Sequence, residues 1–284
     1  MSLWTDFLGC EIRWVDVRGV PTRVLSAGQG ERTTVLLHGR GGHLESWRAN
    51  VSALAQTQRV VAFDLLGHGL TGRHCGGYSV DDLTAHAEAT LDALEISGAL
   101  LCGQSLGGWV AARLALRRAD LARALAMIVP AGLQSEAQRL ADPVTAAAYE
   151  KGGRAFEEPS LGAVRDRLEG LVCDRAAIDD ELVQTRRLLY WSPEARAVHR
   201  AVRAADNNSS LLTPEALGCL ELPALVLHGE HANTPLEVAQ RAAEQAGARL
   251  VVVSDTKQWP QLERADEVNE LLTKFAFQPE VLPV

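Results

Sequence analysis

Six short apolar runs alternate with stretches of helical periodicity along most of this chain. Runs that are apolar throughout are typical of strands buried on both faces, and strands separated by helices are typical of a parallel sheet. The predicted strands cover residues 34–37, 60–63, 100–102, 125–129, 224–227 and 250–253. This pattern predicts an α/β fold with a mostly parallel central sheet flanked by helices.

Three stretches between these strands have the periodicity of helices. Residues 79–94 begin with Ser79, Asp82 follows three residues later, and apolar residues then recur at helical spacing. A serine followed by an acidic residue at this distance is typical of a helix N-terminus. Residues 106–117 and 236–246 predict two further helices.

The strand pattern stops between about Gly132 and Leu220, where the sequence is rich in Ala, Arg, Glu and Leu. Four prolines divide this stretch into short predicted helices: Pro143, Pro159, Pro193 and Pro214. A helical insertion between two strands of a parallel sheet lies over the carboxyl ends of the strands, where ligands bind. We therefore predict a core domain of residues 1–132 and 221–284 and an all-helical lid, or cap, of residues 133–220.

Composition and charge exclude several classes of partner. The chain has 28 Lys and Arg against 36 Asp and Glu, a net charge of −8, so we expect no nucleic-acid partner. No apolar run approaches the roughly 18 residues of a membrane span, and no signal peptide is visible, so we expect a cytoplasmic protein without a membrane partner. Five cysteines without a C-x-x-C pair, and histidines without ligand spacing, predict no metal and no other cofactor. The sequence leaves a homodimer open.

Three motifs each follow a predicted strand. Gly103-Gln104-Ser105-Leu106-Gly107 opens a helix, and its glycines permit a sharp turn that exposes Ser105 at a helix N-terminus, where negative charge is favoured. His38-Gly39-Arg40-Gly41-Gly42 follows an earlier strand, and Asp64-Leu65-Leu66-Gly67-His68-Gly69 follows the next one. The backbone N–H groups of Arg40 and Leu106 are the predicted donors of an oxyanion hole.

With these motifs the chain resembles the α/β-hydrolase superfamily over nearly its whole length. Within it, the chain is most similar to the serine-dependent hydrolases that cleave C–C bonds in meta-cleavage products of aromatic degradation. Leu182-Val183-Gln184-Thr185-Arg186 resembles the stretch that carries that family's substrate-carboxylate arginine, and Trp259-Pro260-Gln261-Leu262-Glu263 resembles the segment directly after its catalytic histidine. The resemblance implies a Ser…Asp…His triad with Ser105 as the serine.

Two of the three implied triad positions carry other residues. In the loop after strand 224–227, the position of the acid is either occupied by Ala232 or deleted, because Pro235 arrives about one residue early. Counting back from Trp259, Gln258 occupies the position of the histidine. Glutamine is no base at working pH, and removing the base from such a triad costs about 10⁶ in turnover, or roughly 8 kcal/mol.

Three residues are candidate replacement bases for Ser105. His231 lies in the loop of the missing acid, Lys257 borders the position of the missing histidine, and His43 follows the oxyanion loop. Serine–lysine pairs occur in other enzymes, and burial lowers the pKa of a lysine toward neutrality. One hypothesis is therefore a serine hydrolase with a relocated base, and another is a pseudo-hydrolase that only binds a ligand.

The leading hypothesis is an enzyme for a small carboxylate-bearing ketone or ester, derived from an aromatic compound or a polyketide. Its step is non-hydrolytic (C–C lyase, decarboxylation, isomerisation or cyclisation), with Ser105 as a hydrogen-bond donor to an enolate or alkoxide. Arg186 binds the carboxylate, and Arg40 adds positive potential. The other predicted substrate-binding residues are Gly39, Gly41, His43, Gln104, Trp191 and Trp259, with Trp47 and Trp109 as further aromatic candidates.

Overall fold

A mostly parallel, eight-stranded sheet forms the centre of the molecule in the computed structural model, which describes residues 2–73 and 76–279. The strand order is β1-β2-β4-β3-β5-β6-β7-β8. Strands β3 to β8 pair in parallel, whereas β2 is antiparallel to both β1 and β4. The strands are β1 Glu11–Val17, β2 Val20–Ala27, β3 Thr33–Leu37, β4 Arg59–Phe63, β5 Ala99–Gln104, β6 Ala122–Ile128, β7 Ala224–Gly229 and β8 Arg249–Val253. The predicted fold class and all six predicted strands are confirmed.

The N-terminal hairpin of β1 and β2 was not among the predicted strands. Most of β1 is exposed, and it alternates charged with apolar residues, so it lacks the continuous apolar run of a buried strand. The two strands are joined at Arg18 and Gly19, both at positive φ (54° and 83°). Two successive residues at positive φ form the turn whose twist matches that of the flanking strands.

Helices cover both faces of the sheet in the described residues. They are α1 Leu3–Asp6, α2 Val51–Leu54, α3 Val80–Ala93, α4 Leu106–Arg117, α5 Glu136–Leu140, α6 Pro143–Glu157, α7 Leu161–Glu169, α8 Asp180–Tyr190, α9 Pro193–Ala204, α10 Pro214–Gly218, α11 Leu236–Gln245, α12 Pro260–Glu263 and α13 Ala265–Phe277. One apolar layer packs α3, α4 and α11 on one face of the sheet, and a second packs α2 and α13 on the other. No helix in this described part of the chain is both long and apolar enough to cross a membrane.

The predicted N-terminus of α3 is confirmed in detail. The hydroxyl of Ser79 accepts a hydrogen bond from the backbone N–H of Asp82 (3.2 Å), and the Asp82 carboxylate accepts one from the N–H of Ser79 (2.8 Å). These reciprocal bonds satisfy two N–H groups that a helix start otherwise leaves unpaired.

Between β6 and β7, residues 133–220 form helices α5 to α10 and contain no strand. We call this stretch the helical segment. Pro143, Pro193 and Pro214 are the first residues of α6, α9 and α10, where a residue without an N–H loses no helical hydrogen bond. The segment has its own apolar cluster, which also includes Trp259 from the sheet side. Through that cluster the helical segment packs onto the carboxyl ends of the strands.

Four cysteines in the described residues, Cys10, Cys102, Cys173 and Cys219, are free thiols. Cys75 lies outside the described residues.

Candidate active site

Ser105 is the single residue between the end of β5 and the start of α4. Its backbone is at φ 52° and ψ −114°, a conformation that side chains rarely adopt and that costs about 1–3 kcal/mol. The flanking glycines make the turn possible, since a Cβ at Gly107 would lie 2.1 Å from the carbonyl oxygen of Leu37 and one at Gly103 2.1 Å from that of Gly107. The sharp turn presents Ser105 to a cavity instead of burying it in the sheet.

A tight turn of residues 39–42 faces Ser105 across this cavity. The N–H of Gly42 donates to the carbonyl of Gly39 (2.8 Å), and Gly41 takes the positive φ of 68° that such a turn requires. This bond does not use the N–H of Arg40, and the N–H of Leu106 has no acceptor within its own helix because α4 begins there. Both N–H groups therefore stay candidate donors to a bound oxyanion.

Side chains of the helical segment hold this turn from the outside. The carbonyl of Gly41 accepts hydrogen bonds from Nη1 of Arg186 (2.5 Å) and the hydroxyl of Tyr190 (2.8 Å). The carbonyl of Arg40 accepts one from Nη2 of Arg167 (3.3 Å). The turn is thus fixed jointly by its own glycines and by two helices of the segment, α7 and α8.

A cavity of about 350 Å³ lies between the carboxyl ends of the strands and the helical segment. Seven residues of the predicted site line it together: Gly39, Arg40, Gln104, Ser105, Arg186, Gln258 and Trp259. A second cavity of about 180 Å³ adjoins it, shares Arg40 and Ser105 with it, and is lined by Leu106 and Trp109. Gly41 lines neither of these two cavities and contacts the helical segment instead.

Two of the candidate bases lie outside the cavity. His231 is exposed, with its Nε2 4.0 Å from a carboxylate oxygen of Glu230, and its backbone N–H is bonded to the carbonyl of Thr256. Lys257 is half-buried, its backbone N–H donates to the carboxylate of Glu263 (2.9 Å), and its side chain is not among the cavity lining. The structure does not bring either group to Ser105.

Two other predicted residues are also placed elsewhere. Trp191 is 58% exposed and stacks under the guanidinium of Arg187 at 4.6 Å from the ring centre. Trp47, a further aromatic candidate, is fully buried in the core beneath the sheet. The positions of tryptophans in a sequence do not show which rings line a cavity, because tryptophans of the core and of a cavity wall both occur among apolar residues.

His43 belongs to a buried ion-pair network behind the turn. Its Nδ1–H donates to Glu45 (2.6 Å), Glu45 pairs with Arg23 (2.8 Å), and Arg23 pairs with Asp64 (2.7 Å). Asp64 also accepts from the backbone N–H of Leu44 (2.7 Å). Burial raises the pKa of Glu45, but the hydrogen bond of His43 and the guanidinium of Arg23 outweigh it and hold that pKa well below the usual range. In this structure His43 therefore supports the turn and does not line the cavity.

Gln258 forms part of the cavity wall that Ser105 also lines. Its backbone N–H donates to the carbonyl of Leu171 (2.9 Å), and its carbonyl accepts from the side-chain amide of Gln104 (3.0 Å). Within the described residues, the Gln258 side chain makes a single, long hydrogen bond, from Nε2 to the carbonyl of Val129 (3.4 Å). The main chain thus fixes this position, and the side chain contributes little to holding it.

In the loop after β7, three residues line the cavity, namely Asn233, Thr234 and Pro235, and Asn233 is the one with a side-chain amide. Ala232, which the sequence aligned with the missing acid, packs against the apolar layer below the sheet. Sequence counting missed Asn233 because a loop shortened by one residue has no unique register. An amide at this position is neither an acid nor a base, although it can orient a neighbour by hydrogen bonding.

Positive charge dominates the cavity. Five of its lining residues are arginines, namely Arg40, Arg139, Arg167, Arg186 and Arg203. Glu136 pairs with Arg40 and Arg139, and Glu150 pairs with Arg203. Among residues 2–73 and 76–279, no carboxylate forms an ion pair with Arg167 or Arg186. Arg186 is 2% exposed and lies 5.4 Å from the ring centre of Trp259.

His199, a cavity residue on α9, was not singled out by the sequence. It is 4% exposed and stacks on Phe156 with ring centres 3.4 Å apart, and neither ring nitrogen has a hydrogen-bond partner among the residues that the structure describes. Burial and the charges of Arg167, Arg40 and Arg203 hold its pKa well below the usual range, so the ring is neutral. The available signal was its place within the apolar stripe of α9, which predicts that His199 lies on the buried face of that helix.

The sheet order, the sharp turn at Ser105 and the cavity above it define a class of protein. The chain belongs to the α/β-hydrolase family, whose family model matches residues 34–271.

Comparison with individual proteins shows which members of the α/β-hydrolase family this chain is similar to. The chain is 30% identical over 273 residues to 2-hydroxymuconate semialdehyde hydrolase of Pseudomonas sp. (strain CF600), covering 93% of each protein. It is 28% identical over 265 residues to the dihydrolipoyllysine-residue acetyltransferase component of the acetoin cleaving system of Cupriavidus necator, covering 92% of this chain and 68% of that protein. A solved meta-cleavage product hydrolase from Pseudomonas fluorescens matches with 26% identity and a TM-score of 0.79, over 93% of this chain and 96% of that one. The predicted similarity to meta-cleavage product hydrolases is confirmed.

Proposed function

We propose that this chain is an enzyme that converts a small carboxylate-bearing ketone or ester by a non-hydrolytic step. The observation that carries the proposal is Gln258, an amide in the wall of the Ser105 cavity at the position where the resemblance implies a histidine. A serine hydroxyl without a base is a poor nucleophile, so formation of an acyl-enzyme is not favoured. The same hydroxyl still donates a hydrogen bond to a negatively charged oxygen.

The positions of the backbone donors support charge stabilisation as the catalytic device. An enolate or alkoxide bound beside Ser105 accepts hydrogen bonds from its hydroxyl and from the N–H groups of Arg40 and Leu106. Removing one such donor from an oxyanion hole costs about 10²–10³ in turnover. Retro-aldol C–C cleavage, decarboxylation, isomerisation and cyclisation all pass through an oxyanion of this kind, and none requires acylation of the serine.

Arg186 is the proposed binding group for the substrate carboxylate. It is buried, it has no carboxylate partner among the described residues, and its guanidinium lies near the indole of Trp259. A bidentate bond from an arginine to a carboxylate fixes both position and orientation. The helical segment, residues 133–220, is the proposed lid, because it supplies this arginine and packs over the carboxyl ends of the strands.

The experiment is labelling with a serine-reactive fluorophosphonate, read by intact-protein mass, with Ser105→Ala as the control. The proposal expects no adduct on the unchanged protein after an incubation that fully labels an ordinary serine hydrolase. A single adduct that disappears in Ser105→Ala contradicts the proposal and indicates a serine hydrolase with a relocated base. In that case His231→Ala and Lys257→Ala identify which residue activates the serine.

A pseudo-hydrolase is distinguished by turnover. If a carboxylate-bearing ketone binds and is recovered unchanged, the chain is a binding protein. Turnover that falls about 10²–10³-fold in Ser105→Ala supports an oxyanion role, whereas a fall of about 10⁶-fold indicates a nucleophile.

A further inference from the structure

Arg167 on α7 carries a positive charge that the described residues do not compensate. Its hydrogen-bond partners within residues 2–73 and 76–279 are neutral, namely the carbonyl of Arg40 (3.3 Å) and the hydroxyl of Tyr190, and its Nε has no partner there. Burial lowers the pKa of Arg167, and the charges of Arg186 and Arg40 lower it further, yet arginine stays protonated in proteins. Arg167 is half-buried, and a cation that is partly removed from water among neutral partners is costly, so this group is arranged for an anion that the chain itself does not provide.

His199 lies beside Arg167 in the same cavity wall. The two side chains share Phe156, which stacks on the imidazole at 3.4 Å and has the guanidinium carbon of Arg167 5.2 Å from its ring centre. In the described part of the chain, neither ring nitrogen of His199 has a hydrogen-bond partner, although the side chain is only 4% exposed. A neutral imidazole always keeps one N–H donor, so an anion held by Arg167 finds a second donor here.

Arg186 also bonds to Tyr190 but has a different environment. Its guanidinium bonds to the carbonyl of Gly41 and to the hydroxyl of Ser46 (3.1 Å), whereas Arg167 contacts Phe156. The hydroxyl of Tyr190 is a hydrogen-bond partner of both arginines. Among the described residues, the cavity therefore holds two guanidinium groups that have no carboxylate partner and that share the hydroxyl of one tyrosine.

We propose that Arg167 and His199 form a second anion subsite and that the ligand of this cavity carries two negative charges. The inference rests on the proposed function, in which Arg186 binds the first charge. Two classes of ligand have this property: a dicarboxylate, with the charges at two ends, and a phosphate monoester, with both on one group. Charge-assisted hydrogen bonds to one further anionic oxygen increase affinity by about 10-fold or more.

The test is isothermal titration calorimetry on the full chain at pH 8, with two matched pairs of unreactive probes. Suberate is compared with its monomethyl ester, and phenyl phosphate with phenyl sulfate, so that each pair differs by one negative charge at nearly constant shape. We expect the doubly charged member of at least one pair to bind about 10-fold tighter or more. A preference within the suberate pair assigns a dicarboxylate, and one within the phosphate pair assigns a phosphate monoester.

The variants Arg167→Met and Arg165→Met show whether the subsite is responsible. Arg165 is on the same helix but pairs with Asp180 and Glu169 outside the cavity, so its variant keeps the preference. Arg167→Met loses it. Removing an uncompensated charge offsets the lost hydrogen bond to the carbonyl of Arg40, so the melting temperature of this variant should stay within a few degrees of that of the unchanged protein. His199→Phe is a second variant, which retains the stacking on Phe156. It should lower the affinity for the doubly charged probe more than the affinity for the singly charged one.

Equal affinities within both pairs overturn the proposal, as does a preference that persists in Arg167→Met or the absence of binding by all four probes at 10 mM. These outcomes are independent of the fluorophosphonate result, because binding of an unreactive anion requires neither turnover nor an activated serine. The second subsite and the non-hydrolytic step can therefore fail separately.

Discussion

Returning a base and an acid to the cavity tests directly whether Gln258 and Asn233 occupy the positions of missing catalytic groups. The perturbation is the double variant Gln258→His, Asn233→Asp, accompanied by each single variant. Both residues line the cavity of Ser105, and the Gln258 side chain gives up only a 3.4 Å hydrogen bond when it is replaced. Since main-chain bonds hold residue 258, we expect the free energy of unfolding to change by less than about 1 kcal/mol.

The expected gain follows from the chemistry of a general base. A positioned histidine contributes about 10²–10⁴-fold, or roughly 3–5 kcal/mol of barrier. A carboxylate that orients the imidazole is worth up to about 10⁴ in a complete triad, so Gln258→His alone should gain much less than the double variant. Asn233→Asp alone should gain nothing, because no base is present for it to orient.

The assay is the second-order rate constant for fluorophosphonate labelling, measured by intact mass for all four proteins. Ser105→Ala in the double-variant background is the control and should abolish the adduct. If the double variant melts within a few degrees of the unchanged protein yet labels no faster, then residues 258 and 233 do not reach Ser105. That result would refute the assignment of Gln258 to the position of the histidine.

Three further predictions concern the scaffold of the site. Asp64→Asn breaks the buried ion pair with Arg23 and should lower the free energy of unfolding, measured in urea, by about 3 kcal/mol. This value is near the lower end for buried pairs because Arg23 keeps its second partner, Glu45, and a loss under about 1 kcal/mol would contradict the prediction. Ser105→Gly should be about 1 kcal/mol more stable than Ser105→Ala, or a few degrees in melting temperature, because only glycine relieves the positive φ; equal melting temperatures would argue against stored strain. The pKa of Glu45 is lowered in the folded state, so its stabilising contribution is complete above the unfolded pKa near 4.3 and declines as pH falls below it. Melting curves from pH 7 to pH 3 should therefore show the difference between the unchanged protein and Glu45→Gln shrinking below pH 4.3, and a constant difference would contradict the shift.

The parallel sheet was predictable because strands buried on both faces leave continuous apolar runs in a sequence. The turn at Ser105 was predictable because its packing requires glycines that are visible in the sequence. Gly107 lies so close to the main chain at Leu37 that no Cβ fits there. By contrast, β1 is an exposed edge strand, so charged residues interrupt its apolar pattern. Strand β2, which pairs with β1, gave no strand signal of its own in the sequence.

The composition of the cavity was only partly predictable. Arg186 was found through its resemblance to a family motif, but Arg167 and His199 belong to no motif. Helical spacing shows that such residues lie near a buried face, although it does not show whether that face meets apolar packing or a cavity. Counting residues along the sequence also could not predict the position of His231. The path of a loop decides whether a side chain faces a cavity or solvent, and His231 faces solvent.

The hydrogen bonds from α7 and α8 to the turn of residues 39–42 have a consequence for exchanging parts between relatives. The carbonyls of Arg40 and Gly41 are satisfied by donors more than a hundred positions away along the chain, on Arg167, Arg186 and Tyr190. In a chimera whose helical segment comes from a relative without equivalent donors, these carbonyls are left unpaired. Each one that is buried then lowers the free energy of unfolding by about 1–3 kcal/mol. The helical segment is therefore not a detachable module, because exchanging it also exchanges the side chains that support the turn of residues 39–42.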